Sequence, residues 1–114
     1  IAGEPVSAPE RAAREAGERG DAEALAAAID RGFYPGATRE LAHAALRLGA
    51  LRAAKGDHDG ALAAFTRSAE ARVAAVPRGA EAAEISATWR AAAVAAEKAG
   101  SPSIAEACRA RAAR

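Results

Sequence analysis

Few side chains in this 114-residue chain suit nucleophilic catalysis. Cys108 is the single cysteine, and either of the two histidines, His43 or His58, would have to serve as its base. Ile104, Cys108 and Ala112 follow one another at steps of four residues, so all three lie on one apolar helix face. We therefore interpret Cys108 as a buried structural thiol. A single cysteine also excludes an internal disulfide framework and a multi-thiolate metal site.

The segment Asp57-His58-Asp59 groups two carboxylates with an imidazole, which could suggest a metal site or a general base. The sequence offers no second ligand cluster to complete such a metal site. An aspartate before a helix, followed by acids in its first turn, is typical of an N-cap that also favours the helix dipole. We predict this structural role. Gly-rich phosphate loops and Gly-x-Ser-x-Gly turns are also missing, so we expect no enzyme and no cofactor.

Arg39, His43 and Arg47 follow one another at steps of four residues, so on a helix they form one row, the basic ridge. They lie opposite the apolar stripe that contains Leu41 and Leu48. Arginine forks bind carboxylates in bidentate fashion, so the ridge could recognise an acidic or C-terminal peptide. A solvated face of an Arg/Glu-rich helix is the alternative interpretation.

The composition indicates a single all-helical domain. Alanine supplies 39 residues, whereas only 19 hydrophobic residues are larger than alanine. Alanine, arginine and glutamate all favour helix, and a net charge of +1 does not match a disordered chain. The near-neutral charge gives no attraction to nucleic acid, and no apolar run is long enough for a membrane span. A lone reduced cysteine fits the cytoplasm.

Glycine, proline and capping residues divide the chain into six predicted helices. Their approximate ranges are 8–19 after the capping box Ser7 to Glu10, 22–31 after Asp21, 38–55, 58–76 after Asp57, 80–99, and 102–113 after Ser101. Phe33-Tyr34-Pro35-Gly36 is predicted to be a turn, whose aromatic pair forms either a hydrophobic staple or an exposed contact patch. No segment shows the alternation of a strand.

Narrow apolar faces support the last four predicted helices. These faces contain Leu41, Ala44, Ala45, Leu48 and Leu51; Leu62, Phe65, Ala69, Val73 and Val76; Ile85, Trp89, Ala92 and Ala96; and Ile104, Cys108 and Ala112. Because most of these side chains are small, we expect the helices to approach closely. Trp89 lies on such a face, so we interpret it as a core residue, although a role in ligand stacking is the alternative.

Glycine joints divide the helices into pairs over about 8–31, 38–76 and 80–113. The joints are Gly20-Asp21, Gly56-Asp57 and Gly100-Ser101, spaced by 36 and 44 residues. A helical hairpin that recurs at such a spacing is typical of an α-solenoid, in which each pair packs against the next.

The segment 42–75 contains Leu48-Gly49, Gly56-Asp57, Ala61 and Phe65 at spacings typical of a known helical repeat. It resembles the tetratricopeptide (TPR) repeat, in its longer-repeat variant. Arg52 and Ser68 replace the usual tyrosine and alanine of that repeat, and Pro77 comes late. The third pair matches through Trp89, Ala92, Ala93, Ala96, Gly100 and Ala105, with Arg109 in place of an aromatic residue. The first pair matches only at Gly20-Asp21 and Ile29.

The resemblance implies a short right-handed stack of three hairpins over residues 1–114. It also implies that the first helix of each pair lines a concave groove, which binds a protein or peptide segment. The expected groove residues are Arg39, His43, Leu46, Arg47, Arg90, Val94 and Glu97, with Ala50, Glu10 and Arg14 at matching positions.

Two functions follow as hypotheses. The first is a protein-interaction scaffold or adaptor whose groove binds a peptide, acidic if the ridge is used. The second is a structural or self-association module from a larger protein. It is motivated by the start at Ile1 without a methionine and by an apolar last helix that could continue a stack or form a homo-oligomer.

Overall fold

The computed structural model describes residues 8–32 and 38–113. These residues form six helices and no strand, which confirms the all-α prediction. Their bounds are α1 (Ala8–Arg19), α2 (Ala22–Arg31), α3 (Thr38–Ala54), α4 (His58–Ala75), α5 (Ala82–Lys98) and α6 (Pro102–Ala112). The predicted cap at Ser7 and the predicted turn over 33–36 lie outside the described residues.

Five helix ends lie one or two residues inside the predicted ones, and backbone conformation explains two of these differences. Val76 has extended backbone angles, because a residue before a proline is disfavoured in the α region, so α4 ends at Ala75. Glu81 is left-handed, with φ of 54°, so α5 begins at Ala82 and not at Ala80.

The three predicted joints share one hydrogen-bond pattern. At the first joint the amide of Asp21 donates to the carbonyl of Ala16 at 2.8 Å, and that of Gly20 donates to Gly17 at 3.2 Å. Gly56-Asp57 and Gly100-Ser101 repeat both bonds. In each joint the glycine amide donates to the carbonyl three residues earlier, and the next amide donates to the carbonyl five residues earlier. This is the Schellman motif, which needs a left-handed residue, and the glycines supply it.

The caps that follow these joints differ in chemistry, which gives a testable contrast. The Asp57 carboxylate accepts from the Gly60 amide at 3.0 Å, whereas Ser101 makes no side-chain cap hydrogen bond. We expect Asp57→Ala to lower the free energy of unfolding by about 1 kcal/mol. Ser101→Ala, the matched control, should change it by less than about 0.5 kcal/mol. Urea unfolding of both variants measures the difference, and equal losses would contradict the assigned role of Asp57.

Helices pack mainly against their neighbours in the chain: α1 on α2, and so on to α5 on α6. The one other substantial contact joins α1 to α3 within the described part. The molecule is elongated, with extents of 49 × 33 × 18 Å along its principal axes.

Alanine dominates the core, as predicted. Of the 20 buried hydrophobic residues in the described part, 14 are alanines, and the others are Leu25, Ile29, Leu48, Phe65, Trp89 and Cys108. Gly49 of α3 allows a close approach, because a Cβ built there would lie 2.6 Å from the Phe65 ring of α4. A larger residue at position 49 would therefore push these two paired helices apart.

Two predicted core positions are wrong. Val73 is 55% exposed and Ile104 is 46% exposed. On α4 the buried line runs through Phe65, Ser68, Ala69 and Arg72. Arg72 is seven residues from Phe65 and therefore only about 20° around the helix from it, whereas Val73 is about 80° away. On α6, packing against α5 alone buries only Ala105 and Cys108.

Candidate functional site

The basic ridge lies on the exposed face of α3, as predicted. Arg39, His43 and Arg47 are all exposed, and the buried residues of this helix are Ala42, Ala45, Leu48 and Gly49. The ridge is therefore accessible along about two turns of α3, and His43 and Arg47 lie on the side that faces α1.

A groove of about 550 Å³ separates α1 from α3, and we name it the α1–α3 groove. It contains three predicted residues, His43, Leu46 and Arg47, together with the matching positions Glu10, Arg14 and Ala50. Apolar atoms dominate its surface, and its remaining residues are Ala13, Leu25, Glu40 and Ala44. The structure thus brings α1 and α3 together along this groove.

The two charged residues on the α1 side of this groove, Glu10 and Arg14, form an ion pair with each other. Arg14 Nη2 donates to Glu10 Oε1 at 3.3 Å, one helical turn away. Glu10 is only 6% exposed. Because this arginine already has a carboxylate partner, it is a poor site for a ligand's carboxylate.

Arg39 also has an acidic partner. Its Nη2 lies 3.0 Å from Oε2 of Glu81, the left-handed residue before α5. This ion pair ties the start of α3 to the start of α5, so Arg39 has a structural role that its sequence pattern does not reveal. It does not line the α1–α3 groove.

His43 is held by the buried arginine of α4. Arg72 is 4% exposed, and its Nη2 lies 3.1 Å from His43 Nδ1. Because a guanidinium can only donate, Nδ1 of the imidazole must accept, and the ring proton of the neutral histidine then sits on Nε2. Arg72 Nε lies 3.9 Å from Glu81 Oε1, so Arg72 connects the ridge to the same glutamate that binds Arg39.

Of the two arginines of the ridge, Arg47 has no acidic partner among the described residues. Its side chain runs across α1 at Gly17, where a Cβ would lie 2.6 Å from Arg47 Cδ. The glycine therefore provides the space that positions the Arg47 guanidinium along the groove. Glu40, seven residues earlier and about 10 Å along the helix axis, likewise has no basic partner in the described part.

The three predicted residues on α5 lie elsewhere. Arg90 and Val94 line a separate groove of about 420 Å³ between α5 and α6, together with Arg109. Glu97 forms an ion pair and hydrogen bond with Arg109. The structure therefore divides the predicted peptide-binding set into one group at α1–α3 and another at α5–α6.

The residues first considered for catalysis have structural surroundings. Cys108 is 4% exposed, which confirms the predicted burial, and this burial raises the pKa of its thiol, while Arg111 and Arg109 act in the opposite direction. Asp57 caps α4 as predicted. Trp89, 5% exposed, belongs to the core as predicted, and the Arg111 guanidinium lies 4.7 Å from its ring centroid. Among the residues that the structure describes, no group of three or more potential ligands could hold a metal ion.

Sequence reasoning missed Arg72 and Glu81, the two charged residues that organise the ridge. The spacing of Arg72 from Phe65 was the available signal, since seven residues are close to two helical turns. No pattern in the sequence points to Glu81, because its role depends on a left-handed backbone conformation between two helices.

No helix in the described part of the chain is both long and apolar enough to cross a membrane. No family model matches the sequence, and neither a curated protein nor a solved structure is significantly similar to it. The TPR resemblance and the cytoplasmic location therefore stay predictions, and the assignment of function depends on the geometry of the grooves.

Proposed function

We propose that this chain is a protein-interaction scaffold: three helical hairpins stacked as a short right-handed, TPR-like solenoid that binds a polypeptide segment. Three observations support the stacking. Consecutive helices pack together, the three joints share one hydrogen-bond pattern, and α1 also packs against α3, as first helices of successive repeats do in a solenoid.

The α1–α3 groove is the binding site in this proposal, and its composition is the observation that carries it. Its floor is apolar, with Leu25, Leu46 and several alanines, and its length follows α3 from Glu40 to Ala50. A long groove whose surface is mostly apolar, with ionisable side chains along it, suits a peptide that contributes both an apolar side chain and charges.

The unpaired charges assign a direction to the bound peptide. Arg47 at one end is available to a carboxylate, whereas Glu40 at the other end would repel one. We infer that the acidic residue or C-terminus of the ligand binds at Arg47 and that a neutral or basic residue lies near Glu40. An apolar side chain between them would contact Leu46 and Ala13.

Selection from a random peptide library, followed by calorimetric titration of the selected peptide, tests this proposal. We expect Arg47→Ala to weaken binding at least about tenfold, because a hydrogen-bonded charge contact contributes about 1.5–3 kcal/mol. Arg11→Ala is the matched control, since Arg11 is exposed on α1 but does not line the groove, and it should leave the affinity unchanged.

Arg90→Ala distinguishes the two groups of predicted residues. A peptide confined to the α1–α3 groove should be insensitive to this change, whereas a peptide that spans the whole stack should lose affinity. A selected peptide that binds equally well to the wild type and to the Arg47→Ala variant would overturn the assignment of the site, and so would failure to select any peptide.

A further inference from the structure

A second groove, the α4–α6 groove, lies between α4 and α6 over α5. It encloses about 800 Å³ and shares no lining residue with the α1–α3 groove. Val73 forms part of its α4 wall, Ile85 and Trp89 belong to α5 beneath it, and Arg111 belongs to its α6 wall. It therefore offers the molecule a second surface that the proposed peptide site does not use.

Exposed aliphatic side chains concentrate around this groove. The large hydrophobic residues that are exposed in the described part are Val73, Val94 and Ile104. Val73 lines the groove itself, and Ile104 lines an adjoining hollow of about 270 Å³ that shares Glu70, Trp89 and Arg111 with it. Clustered apolar exposure of this kind marks surfaces that other proteins cover.

The polar groups of the groove favour a protein surface over a small polar ligand. Ser86 Oγ already donates to the Ala112 carbonyl at 2.8 Å, and the Arg111 guanidinium already lies over the Trp89 ring. Among the described residues that line the groove, no buried polar side-chain atom lacks a hydrogen-bond partner. No such atom is therefore free to orient a small molecule. Apolar contact and surface charge therefore have to supply recognition.

The groove carries both signs of charge. Glu70 lies 4.0 Å from Arg111, at the limit of an ion pair, with both side chains more than half exposed. Arg78, exposed in the turn between α4 and α5, has no acidic partner among the described residues. A surface that has an exposed valine, an apolar hollow, an exposed acid and an exposed base can be complementary to a second copy of itself.

We propose that the α4–α6 groove is the contact surface between two copies of this chain, related by a two-fold axis. In such a contact, if residue i meets residue j, then j also meets i. Glu70 of each copy pairs with Arg78 of the other, which gives two equivalent ion pairs across the contact. Each Val73 then enters the hollow over Ile85 and Trp89 of the other copy.

Sedimentation equilibrium over a range of concentrations tests the dimer. The wild type should change from 11.5 kDa to twice that mass as its concentration rises. Val73→Asp should raise the dissociation constant of the dimer at least about tenfold, because two-fold symmetry places the new carboxylate on both sides of the contact. Val94→Asp is the matched control, since Val94 is 51% exposed but lies in the α5–α6 groove, and it should leave the dimer intact.

A charge exchange tests the predicted register. Glu70→Arg and Arg78→Glu should each weaken the dimer at least about tenfold by placing like charges together, whereas the double variant should dimerise like the wild type. Mixing the two single variants should give heterodimers. Since both residues are exposed, the variants should keep the wild-type melting temperature.

A wild type that stays monomeric up to about 1 mM, a concentration that reveals contacts of about 4 kcal/mol, would overturn the proposal. It would also be overturned if Val94→Asp and not Val73→Asp separated the copies, or if the double charge variant failed to recover dimerisation.

Discussion

Replacing Phe65 with alanine should lower the free energy of unfolding by about 3–5 kcal/mol, the largest loss that we expect from any single substitution here. Phe65 is 7% exposed and lies against Gly49, where α3 and α4 approach closely. The cavity would lie between these two helices, in a core with few other large side chains. In a domain of about 5–15 kcal/mol total stability, the loss would leave a marginal fold.

Thermal unfolding followed by circular dichroism measures this effect, and the midpoint should fall by more than about 10 °C. Phe65→Leu is the matched control, because it keeps most of the apolar volume, and it should cost less than about 1.5 kcal/mol. A fall of only one or two degrees in the alanine variant would mean that Phe65 does not hold α3 and α4 together.

Enlarging a buried alanine should also destabilise the fold, by about 1–3 kcal/mol. Ala96 of α5 has no exposed surface, so the three additional carbon atoms of leucine cannot be accommodated unless α5 separates from its neighbours. Because the close approach of helices supplies most contact area in an alanine core, this separation would also weaken contacts that do not involve residue 96.

Ala87→Leu on the same helix is the control for Ala96→Leu. Ala87 is exposed, and leucine and alanine have similar helix propensities, so this variant should change the free energy of unfolding by less than about 0.5 kcal/mol. Urea unfolding distinguishes the two variants. If Ala96→Leu unfolded at the same urea concentration as the wild type, the core would have spare volume and the close-packing interpretation would be wrong.

Helix bounds were the most predictable part of this fold, since local chemistry sets them. The glycine joints and the aspartates after them form the same bonds wherever they occur, as at Gly20-Asp21 and Gly56-Asp57. The exception, Glu81, has no such marker, because an ion pair with a distant helix accompanies its left-handed backbone.

Burial was less predictable than helix bounds. The apolar character of Val73 and Ile104 indicated core positions, but burial depends on which neighbour covers a face, and α6 packs mainly against α5. Conversely, Arg72 is charged and still buried, because it is hydrogen-bonded to His43 of α3 and its guanidinium lies near the Glu81 carboxylate before α5. The residue pattern of a single helix does not indicate which side chains from other elements will lie next to it.

For the predicted site as well, features set by one helix were predictable and features set by packing between helices were not. Residues that share one helix, such as His43, Leu46 and Arg47, line one groove as expected from their spacing. The separation of Arg90, Val94 and Glu97 from them depends on how α5 and α6 are placed, which no local pattern encodes. The partner of Arg39 is also a tertiary feature, whereas the pairing of Arg14 with Glu10, one turn earlier on α1, is local.

Packing between chain neighbours has a kinetic consequence. Because each helix meets the next across a connection of only a few residues, most native contacts close short loops and require little loss of chain entropy before they form. Proteins with such local topology fold in about microseconds to milliseconds. The hairpins can therefore assemble during synthesis as each one leaves the ribosome, without waiting for the end of the chain.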